Sequence, residues 1–401
     1  MRIFLRTVIV AALLSVGLAA ANRFVHTDGK QIVAPDGGKL LLRGINLGNW
    51  LAPEGYMFHF DKGPASYREI SALFNDLIGP DETARFWKQY RDAYITDADI
   101  RFIHEAGFNC VRIPFHSKLI DDGTAFPLLD RVIAWCRERH IWVILDMHCA
   151  PGGQTGTNID DSWGYPWLFE SEEQQQLAVG FWRSIAQRYA DEPTVLGYDL
   201  LNEPIAPAAA HLDPRLEPVY RKITEAIRQV DSNHAVILGG AQWDGNFQVF
   251  GPPFDPNAIY TFHKYWTAPT KDAIQPYLDF RERYHAPIWM GESGENQDDW
   301  IAQFRAMLEK NDVGWAFWPY KKMDATSSPM SFARPMHWDE IVSYAALPGG
   351  TGAAEEKMKK RPPADHSRAA MADLLAKIRL ENCRVNQGYL KALGMRDPMT
   401  N

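Results

Sequence analysis

Eight short apolar runs alternate with longer amphipathic stretches along this chain, and this alternation constrains its fold most. Several runs are nearly continuous in apolar or β-branched residues, as expected for parallel strands that are buried on both faces. The runs are Leu40–Gly48, Asn109–Phe115, Trp142–His148, Val195–Glu203, His234–Gly240, Ala258–Tyr265, Pro287–Ser293 and Gly314–Tyr320. Eight strands with helical crossovers predict an α/β fold, a single-domain (β/α)8 TIM barrel.

The stretches between the runs have helical periodicity. Apolar residues recur at i, i+4 and i+8 spacing within Leu128–Cys136, and a second such stripe follows a capping-box pattern at Ser171 and Gln174. A late helix near Ser367–Ile378 is expected to close the ring. The alternative of a two-domain, doubly wound fold lacks a Gly-rich phosphate loop after its first strand.

The flanks of the barrel have weaker signals. Phe24–Val33 carries Asp28-Gly29 at its centre, which predicts a hairpin that plugs the closed end of the barrel. Residues 321–363, after the eighth run, are mostly non-periodic and are expected to form an extended loop over or beside the active face. We therefore predict a catalytic domain over residues 22–384 and a C-terminal surface tail over 385–401.

The first 21 residues have the pattern of a signal peptide. Arg2 and Arg6 precede the apolar run Val8–Leu18, and Ala19–Ala21 offers small residues for cleavage. The apolar run is too short for a bilayer core, which takes roughly 20 residues. We expect a secreted protein, periplasmic or extracellular, that is free of the membrane after cleavage; a retained N-terminal anchor is the alternative. The formal net charge of −8 argues against nucleic acid or an anionic membrane as the main partner.

No cofactor or metal is expected from the sequence. The four cysteines, Cys110, Cys136, Cys149 and Cys383, match no zinc spacing. A bridge between Cys110 and Cys149, which fall in successive predicted strands, and buried free thiols both remain open. The chain has no His-Glu-x-x-His motif, calcium loop or nucleotide cradle.

Polar residues end nearly every predicted strand, and in this fold the reactive groups stand at the carboxyl ends of strands. These residues are Asn46, Arg112, His148, Asn202, Glu203, His263, Tyr265, Glu292 and Trp318. Glu203 and Glu292 end the fourth and seventh strands, which face each other across an eight-stranded barrel. Retaining glycoside hydrolysis needs two carboxyl groups about 5–5.5 Å apart, a nucleophile and an acid/base. The pair predicts such a site; two salt-bridged structural acids are the alternative.

Six motifs in this region resemble those of glycoside hydrolase family 5. Asn202-Glu203-Pro204 resembles the acid/base signature of the family. The other motifs follow in the family's order: Val111–Pro114, Asp146–His148, His263–Tyr265, Gly291–Glu292 and Trp315–Trp318. The resemblance covers roughly residues 40–320 and implies a secreted retaining β-glycosidase, with Glu203 as acid/base and Glu292 as nucleophile.

The resemblance also implies roles for the neighbouring side chains. Arg112 would lie under Glu292 and keep it ionised, and Tyr265 would hydrogen-bond the same carboxylate. Asn202 would donate to the sugar 2-hydroxyl, a contact that strengthens in the transition state.

Two histidines and a tryptophan would complete the sugar site. His148 and His263 would bind sugar hydroxyls or orient their neighbours, and Trp318 would stack under the sugar ring. For each of these residues a purely structural role is the alternative.

Within the family, the chain most resembles the exo-β-1,3-glucanases and related β-glucanases. Arg43–Leu51, Tyr94–Ile100 and His148–Gly156 carry this likeness, although Asn49 replaces a usual glycine and the loop after the eighth strand differs. In this branch a carboxylate at the place of Glu54 binds outer hydroxyls of the terminal sugar. A solvated loop glutamate is the alternative.

We therefore expect a β-linked oligo- or polysaccharide as the partner and a monomeric enzyme. Exo-β-1,3-glucanase or β-glucosidase-like action is expected ahead of endo-β-1,4-glucanase or mannanase action. A non-catalytic carbohydrate-binding barrel is the alternative from another class. Trp163, Trp243 and Trp266 follow strands three, five and six, where they either line outer subsites or serve packing.

Overall fold

A closed barrel of eight parallel strands forms the centre of the computed structural model, which describes residues 23–348 and 353–399. The barrel strands, labelled β1 to β8 in chain order, are Arg43–Asn46, Cys110–His116, Trp142–Cys149, Val195–Asp199, Ala235–Gly239, Ala258–His263, Ile288–Glu292 and Gly314–Phe317. Six of the predicted runs contain a strand whole, and β2 and β3 each extend one residue past their predicted run, to His116 and Cys149. Strand β8 pairs in parallel with β1, which closes the ring. The predicted (β/α)8 barrel is confirmed, and the doubly wound alternative is wrong.

The N-terminal hairpin closes the end of the barrel at which the strands begin. Its strands, His26–Asp28 and Gln31–Val33, pair antiparallel. Val25 and Ile32 pack into an interior cluster with residues from the starts and middles of the barrel strands, among them Trp289. This packing leaves the opposite end, where the strands finish, open for a site.

Helices lie between the strands and after β8. The helices are Tyr67–Ile78, Pro80–Tyr94, Asp97–Ala106, Ser117–Asp121, Ala125–Glu138, Glu172–Tyr189, Leu216–Arg228, Gln275–Tyr284, Asp298–Lys310, Trp338–Ala345, Ala354–Lys359, Ala364–Lys377 and Gln387–Ala392. The predicted cap is present, because the Ser171 side chain accepts from the backbone N–H of Gln174. Within the described ranges, no helix has the length and apolar character needed to cross a bilayer.

The segment after β8 contains more regular structure than the extended loop expected there. Lys321–Met323 pairs in parallel with Met330–Phe332, and Arg384–Val385 adds to the latter strand antiparallel. The buried ammonium of Lys321 lies 2.8 Å from Asp99 Oδ1 and ties this sheet to the helical layer. Strands of two or three residues show no periodicity, so the sequence did not reveal them.

The segment after Arg384 also differs from the expected surface tail. The helix Gln387–Ala392 contacts the helix Asp298–Lys310, and its Tyr389 and Leu390 side chains are buried. The predicted signal peptide, by contrast, lies outside the described residues.

The four cysteines are free thiols, which decides against the bridge between Cys110 and Cys149. Cys110, Cys136 and Cys149 are buried and Cys383 is half-buried. Burial raises the pKa of the Cys149 thiol well above its usual value, so that it stays protonated.

Candidate active site

The guanidinium of Arg112, on β2, lies at the bottom of the open end and is fully buried. Its Nε donates to Asp199 Oδ2 at 2.8 Å, its Nη1 donates to Glu292 Oε2 at 3.0 Å, and its Nη2 lies 3.1 Å from Asp146 Oδ1. Burial alone would lower the pKa of Arg112, but the three carboxylates raise it above its usual value. One guanidinium therefore forms ion pairs with three carboxylates.

Two asparagines are oriented by the same guanidinium. Arg112 Nη1 donates to Asn46 Oδ1 at 3.1 Å, and Nη2 donates to Asn202 Oδ1 at 2.9 Å. Asn46 Nδ2 in turn donates to main-chain carbonyls of β7 and β8, so it joins strands across the barrel seam. The bond to Arg112 fixes the amide of Asn202, whose Nδ2 lies 3.5 Å from His148 Nε2 and carries the N–H groups that can donate to a ligand.

Glu292 ends β7 with both carboxylate oxygens bonded. The Tyr265 hydroxyl donates to Oε1 at 2.7 Å, and Arg112 donates to Oε2. Burial raises the pKa of Glu292, and the nearby Glu203 adds to the rise, while His263 and Arg112 oppose it. The predicted contacts of Arg112 and Tyr265 are present, but the charge of Arg112 is shared and does not outweigh burial.

Glu203 follows β4 by four residues and has a left-handed backbone, with φ of 46°. Its side chain is 26% exposed, against 8% for Glu292, so it is the more open of the two acids. Burial raises the pKa of Glu203 to about 7. One oxygen of Glu203, one of Glu292 and one ring nitrogen of His263 all lie within 4.8 Å of one another.

His263 ends β6 with its ring between two carboxyl groups. Nδ1 lies 3.0 Å from Glu203 Oε1, and Nε2 lies 3.2 Å from Asp244 Oδ2. Burial lowers the pKa of His263 to about 3, so the imidazole is neutral. Burial raises the pKa of Asp244 well above its usual value, and Asp199 and Glu203 raise it further.

Asp244 reaches this position through a strained turn after β5. Gln242, Trp243 and Asp244 have φ of 50°, 57° and 59°, three consecutive left-handed residues without a glycine. Left-handed backbone costs L-residues roughly 1–2 kcal/mol each. The Gln242 amide donates to both carboxylate oxygens of Asp213, at 2.6 and 2.8 Å, which holds the turn.

Glu54 is buried, so the alternative of a solvated loop glutamate is wrong. Its Oε1 lies 3.2 Å from His148 Nε2, and His148 Nδ1 lies 2.8 Å from Asp146 Oδ2. Burial alone would lower the pKa of His148, but Asp146 and Glu54 raise it well above its usual value. Burial raises the pKa of Glu54, and His148 opposes that rise. An imidazolium on β3, between two carboxyl groups, thus joins the loop after β1 to β3.

Trp318 lies directly after β8 with its ring parallel to that of His148, at a centroid distance of 5.5 Å and an angle of 2°. Its indole N–H donates to the Tyr56 hydroxyl at 2.7 Å. A Cβ at Gly48 would lie 2.5 Å from the indole ring, so only glycine fits there. The side chain is only 2% exposed, which leaves a narrow surface for contact with a sugar.

Comparison with known proteins supports what this geometry suggests. The family described as Cellulase (glycosyl hydrolase family 5) matches residues 76–324. The chain belongs to glycosyl hydrolase family 5. It is therefore a glycoside hydrolase, and the alternative of a non-catalytic carbohydrate-binding barrel is wrong.

Three curated relatives of this family 5 enzyme carry different names. A beta-xylosidase of Phanerodontia chrysosporium is 28% identical over 74% of this chain and 71% of its own length. Endoglucanase C of Acetivibrio thermocellus is 26% identical over 60% of this chain and 88% of its own length. A probable glucan 1,3-beta-glucosidase A of Aspergillus fumigatus is 31% identical over 51% of this chain and 52% of its own length.

Three tryptophans of the family 5 enzyme lie exposed on loops at the open end. Trp163, Trp243 and Trp266 are 72%, 44% and 74% exposed, which argues against a packing role. The Arg68 guanidinium covers one face of Trp163, 3.7 Å from its ring centroid.

Two groups of histidine and carboxylate side chains in the described ranges bring ligand atoms close enough for a metal ion. The first consists of Glu203, His263 and Glu292, and the second of His337, Glu340 and His366 at the surface. The rings of His337 and His366 stack at 3.9 Å, so their in-plane lone pairs do not converge on one point. Coordination there would require the rings to turn.

Sequence reasoning missed four residues of the pocket of the family 5 enzyme. Asp146 and Asp199 lie inside apolar strands, and an acid in such a run is a signal that was available. Tyr56 lies in the short 3-10 helix Gly55–Phe58, and Asp244-Gly245 signals only a turn, so neither pattern marks a pocket residue.

Proposed function

We propose that this family 5 enzyme hydrolyses β-glucans with retention of anomeric configuration. The observation that carries the proposal is the separation of the acids, because oxygens of Glu203 and Glu292 lie within 4.8 Å of each other. Carboxyl groups about 5–5.5 Å apart are typical of retaining enzymes, whereas inverting enzymes need about 6.5–9.5 Å to accommodate a water.

In the first step, Glu292 attacks the anomeric carbon and forms a glycosyl-enzyme ester. Glu203 gives its proton to the glycosidic oxygen, which leaves as an alcohol. In the second step, the Glu203 carboxylate takes a proton from water, whose oxygen displaces Glu292. The raised pKa of Glu203, about 7, suits a group that must be protonated in one step and ionised in the next.

The neighbours of the two acids support these roles. Tyr265 and Arg112 each donate to one oxygen of Glu292, which fixes the carboxylate for attack. Arg112 also fixes Oδ1 of Asn202, so that an N–H of its Nδ2 group, which lies 3.5 Å from His148 Nε2, can donate to the sugar 2-hydroxyl. His263 then orients Glu203, because its Nδ1 lies 3.0 Å from Glu203 Oε1.

Exo action is supported by contacts between the loops around the acids. Glu54 pairs with His148 near the end of β3, and Tyr56 accepts from Trp318 directly after β8, so the loop after β1 is held to both strand ends on one side of the site. A site enclosed on one side suits a chain end. The name of the Aspergillus relative, a glucan 1,3-beta-glucosidase, agrees with this choice, while that of Endoglucanase C favours mid-chain cleavage.

The proposal is tested by two product measurements. Proton NMR during hydrolysis should detect the β-anomer of the released sugar before mutarotation, and an initial α-anomer would refute retention. Product analysis on laminarin, lichenan, soluble cellulose and mannan should give early glucose from laminarin. Early mixed oligosaccharides would instead identify an endo-acting enzyme.

We also propose that the enzyme is exported as a monomer. Export rests on the charged and apolar pattern of residues 1–21. Mass spectrometry of the mature protein should place its first residue at or near Asn22, and light scattering should give the mass of one chain.

A further inference from the structure

The His263 ring bridges the more open acid to a second, fully buried acid. Its Nδ1 lies 3.0 Å from Glu203 Oε1, and its Nε2 lies 3.2 Å from Asp244 Oδ2. Nε2 has no hydrogen-bond partner within residues 23–348 and 353–399 when it is treated as an N–H donor, so Asp244 Oδ2 is the polar atom beside an otherwise unpaired ring nitrogen. Asp244 Oδ2 also accepts the backbone N–H of Glu203 at 3.1 Å. Asp244 therefore contacts the acid/base residue both directly and through the imidazole.

We propose that Asp244 is a positioning residue that holds His263 in one tautomer and thereby keeps the proton of Glu203 on the oxygen facing the substrate. The inference rests on the proposed role of Glu203 as acid/base. It adds a residue that touches neither the sugar nor the bond that breaks.

A neutral imidazole carries a single ring proton. If that proton is on Nδ1, it is donated to Glu203 Oε1, and the acidic proton of Glu203 is left on Oε2, toward the glycosidic oxygen. Nε2 then has a lone pair and needs a donor. Asp244 Oδ2 supplies one if Asp244 is a neutral carboxylic acid, because a hydroxyl oxygen can donate to Nε2 while it accepts from the Glu203 backbone.

The surroundings of Asp244 favour this neutral form. Asp244 is fully buried, and a buried carboxyl group without a cation partner stays protonated. The titratable and charged groups that act on it or feel its charge are Asp199, Glu203, Arg112, His263, Tyr220 and Tyr277. Arg112 is the cation among them, and it is already bonded to three other carboxylates.

The packing around Asp244 leaves space for its carboxyl group. A Cβ at Gly239 would lie 1.8 Å from Asp244 Oδ1, and a Cβ at Gly291 would lie 3.2 Å from His263 Nε2. Gly239 is therefore glycine where the carboxyl group needs the space, whereas the closest atom to a Cβ at Gly291 is Thr261 Oγ1, at 2.3 Å. The left-handed turn of residues 242–244 is maintained to place this acid, as expected for strain at a functional site.

Asp244→Asn tests the proposal with little change in shape. An amide oxygen in place of Oδ2 accepts the Glu203 N–H but cannot donate to Nε2. His263 must then carry its proton on Nε2, and the bare Nδ1 draws the Glu203 proton to Oε1, away from the substrate. If the amide nitrogen takes that place, the Glu203 N–H loses its acceptor.

We expect Asp244→Asn to lower kcat/KM about 30-fold on laminari-oligosaccharides and less than about 3-fold on an aryl glycoside with a good leaving group, because general acid assistance matters least there. The alkaline limb of the pH profile should move to higher pH, since the Glu203 carboxylate loses the Nδ1–H donor that stabilised it.

Asp231→Asn is the matched control. Asp231 is buried and pairs with His234 at 2.6 Å, just before β5 and thus at the opposite end of the barrel. This variant should change stability without any dependence on the leaving group. Circular dichroism and thermal melting of both variants establish that they fold.

Glu203→Ala and the double variant, which combines it with Asp244→Asn, distinguish the acid/base role of Glu203 from the positioning role of Asp244. If Glu203→Ala shows strong leaving-group dependence, and Asp244→Asn shows it more weakly and adds nothing to Glu203→Ala, the inference is supported. Equal losses on both substrates in Asp244→Asn, or an alkaline limb at lower pH, would overturn this inference alone. If Glu203→Ala lacks the dependence, the proposed acid/base is wrong and the inference fails with it.

Discussion

At the scale of single residues, Arg112 divides its charge among three carboxylates, and this affects the pKa of Glu292. The guanidinium is bonded to Asp146, Asp199 and Glu292 at once, so only part of its charge stabilises the proposed nucleophile. Burial then raises the pKa of Glu292. A more basic carboxylate is a stronger nucleophile, and one of its oxygens accepts from Tyr265.

Glu292→Ala should lower kcat by several orders of magnitude, because no glycosyl-enzyme ester can form. Added azide or formate should restore part of the turnover and give product of inverted configuration, which NMR distinguishes. Glu282→Ala, which removes a surface acid paired with Lys30, is the control and should retain activity. If Glu292→Ala keeps more than about a tenth of wild-type activity, the nucleophile has been misassigned.

Glu54→Ala tests exo action. Losing a carboxylate that accepts sugar hydroxyls should cost about 2–4 kcal/mol in transition-state binding, on the order of 30- to 1000-fold in kcat/KM. Glucose release from laminari-oligosaccharides measures the loss. Glu54→Gln is the matched variant, because it keeps an oxygen near His148 Nε2 while it removes the charge. An unchanged rate in Glu54→Ala would favour an open, endo-acting cleft.

The sequence predicted Glu203 and Glu292 better than the residues that hold the pocket in place. Glu203 and Glu292 end long apolar runs, and the barrel geometry brings such ends together. Asp244 is different, because Asp244-Gly245 signals a turn but not the three consecutive left-handed residues, none of them glycine, on which its position depends. Tyr56 reaches Trp318 over 262 residues of sequence, a contact that local patterns do not encode.

At the scale of elements, the C-terminal helix Gln387–Ala392 is a structural part of the barrel. The side chain of Asn386, just before it, donates to the carbonyls of Ala325 and Ser328, which anchors the helix to the sheet after β8. A Cβ at Gly388 would lie 2.2 Å from Asp298 Oδ2, so the two helices approach closely there.

Leu390→Ala should lower the free energy of unfolding by about 2–5 kcal/mol, the usual cost of truncating a buried leucine. Urea denaturation measures the change. Leu177→Ala is the control, since Leu177 is 41% exposed and its loss should cost far less. Equal stabilities of Leu390→Ala and wild type would mean that the helix does not pack on the barrel in solution.

Long strands were easier to predict from the sequence than short ones. The runs that hold β2 and β3 show their buried character in seven and eight residues. Met330–Phe332 and Arg384–Val385 are too short for any period to appear, and they pair only because β8 and the late helices bring them together. Tertiary context, and not local preference, forms these strands.

At the scale of the whole molecule, the proposed acid/base costs stability. The folded pKa of Glu203, about 7, lies above its ordinary value of 4.5. The native state therefore holds this proton after the unfolded chain has lost it, and stability falls as pH rises from 4.5 to 7. The loss is on the order of 3 kcal/mol above pH 7.

Glu203→Gln should remove this penalty. Urea midpoints should show the variant to be more stable than wild type at pH 8, with the difference shrinking toward pH 4.5. Asp231→Asn, at the other end of the barrel, should show no such gain at alkaline pH. A difference between Glu203→Gln and wild type that is independent of pH would contradict the raised pKa.

The pairing of β8 with β1 also governs how the protein is made. These neighbours lie roughly 270 residues apart in the chain, and Trp315 must find Arg43 before the ring exists. At about 5–20 residues per second, a ribosome needs roughly 15–50 seconds to travel from one strand to the other. Throughout that interval the nascent chain presents an unpaired strand edge on β1, which can join another chain instead. Slower initiation or a lower growth temperature should therefore raise the soluble yield more effectively than faster synthesis.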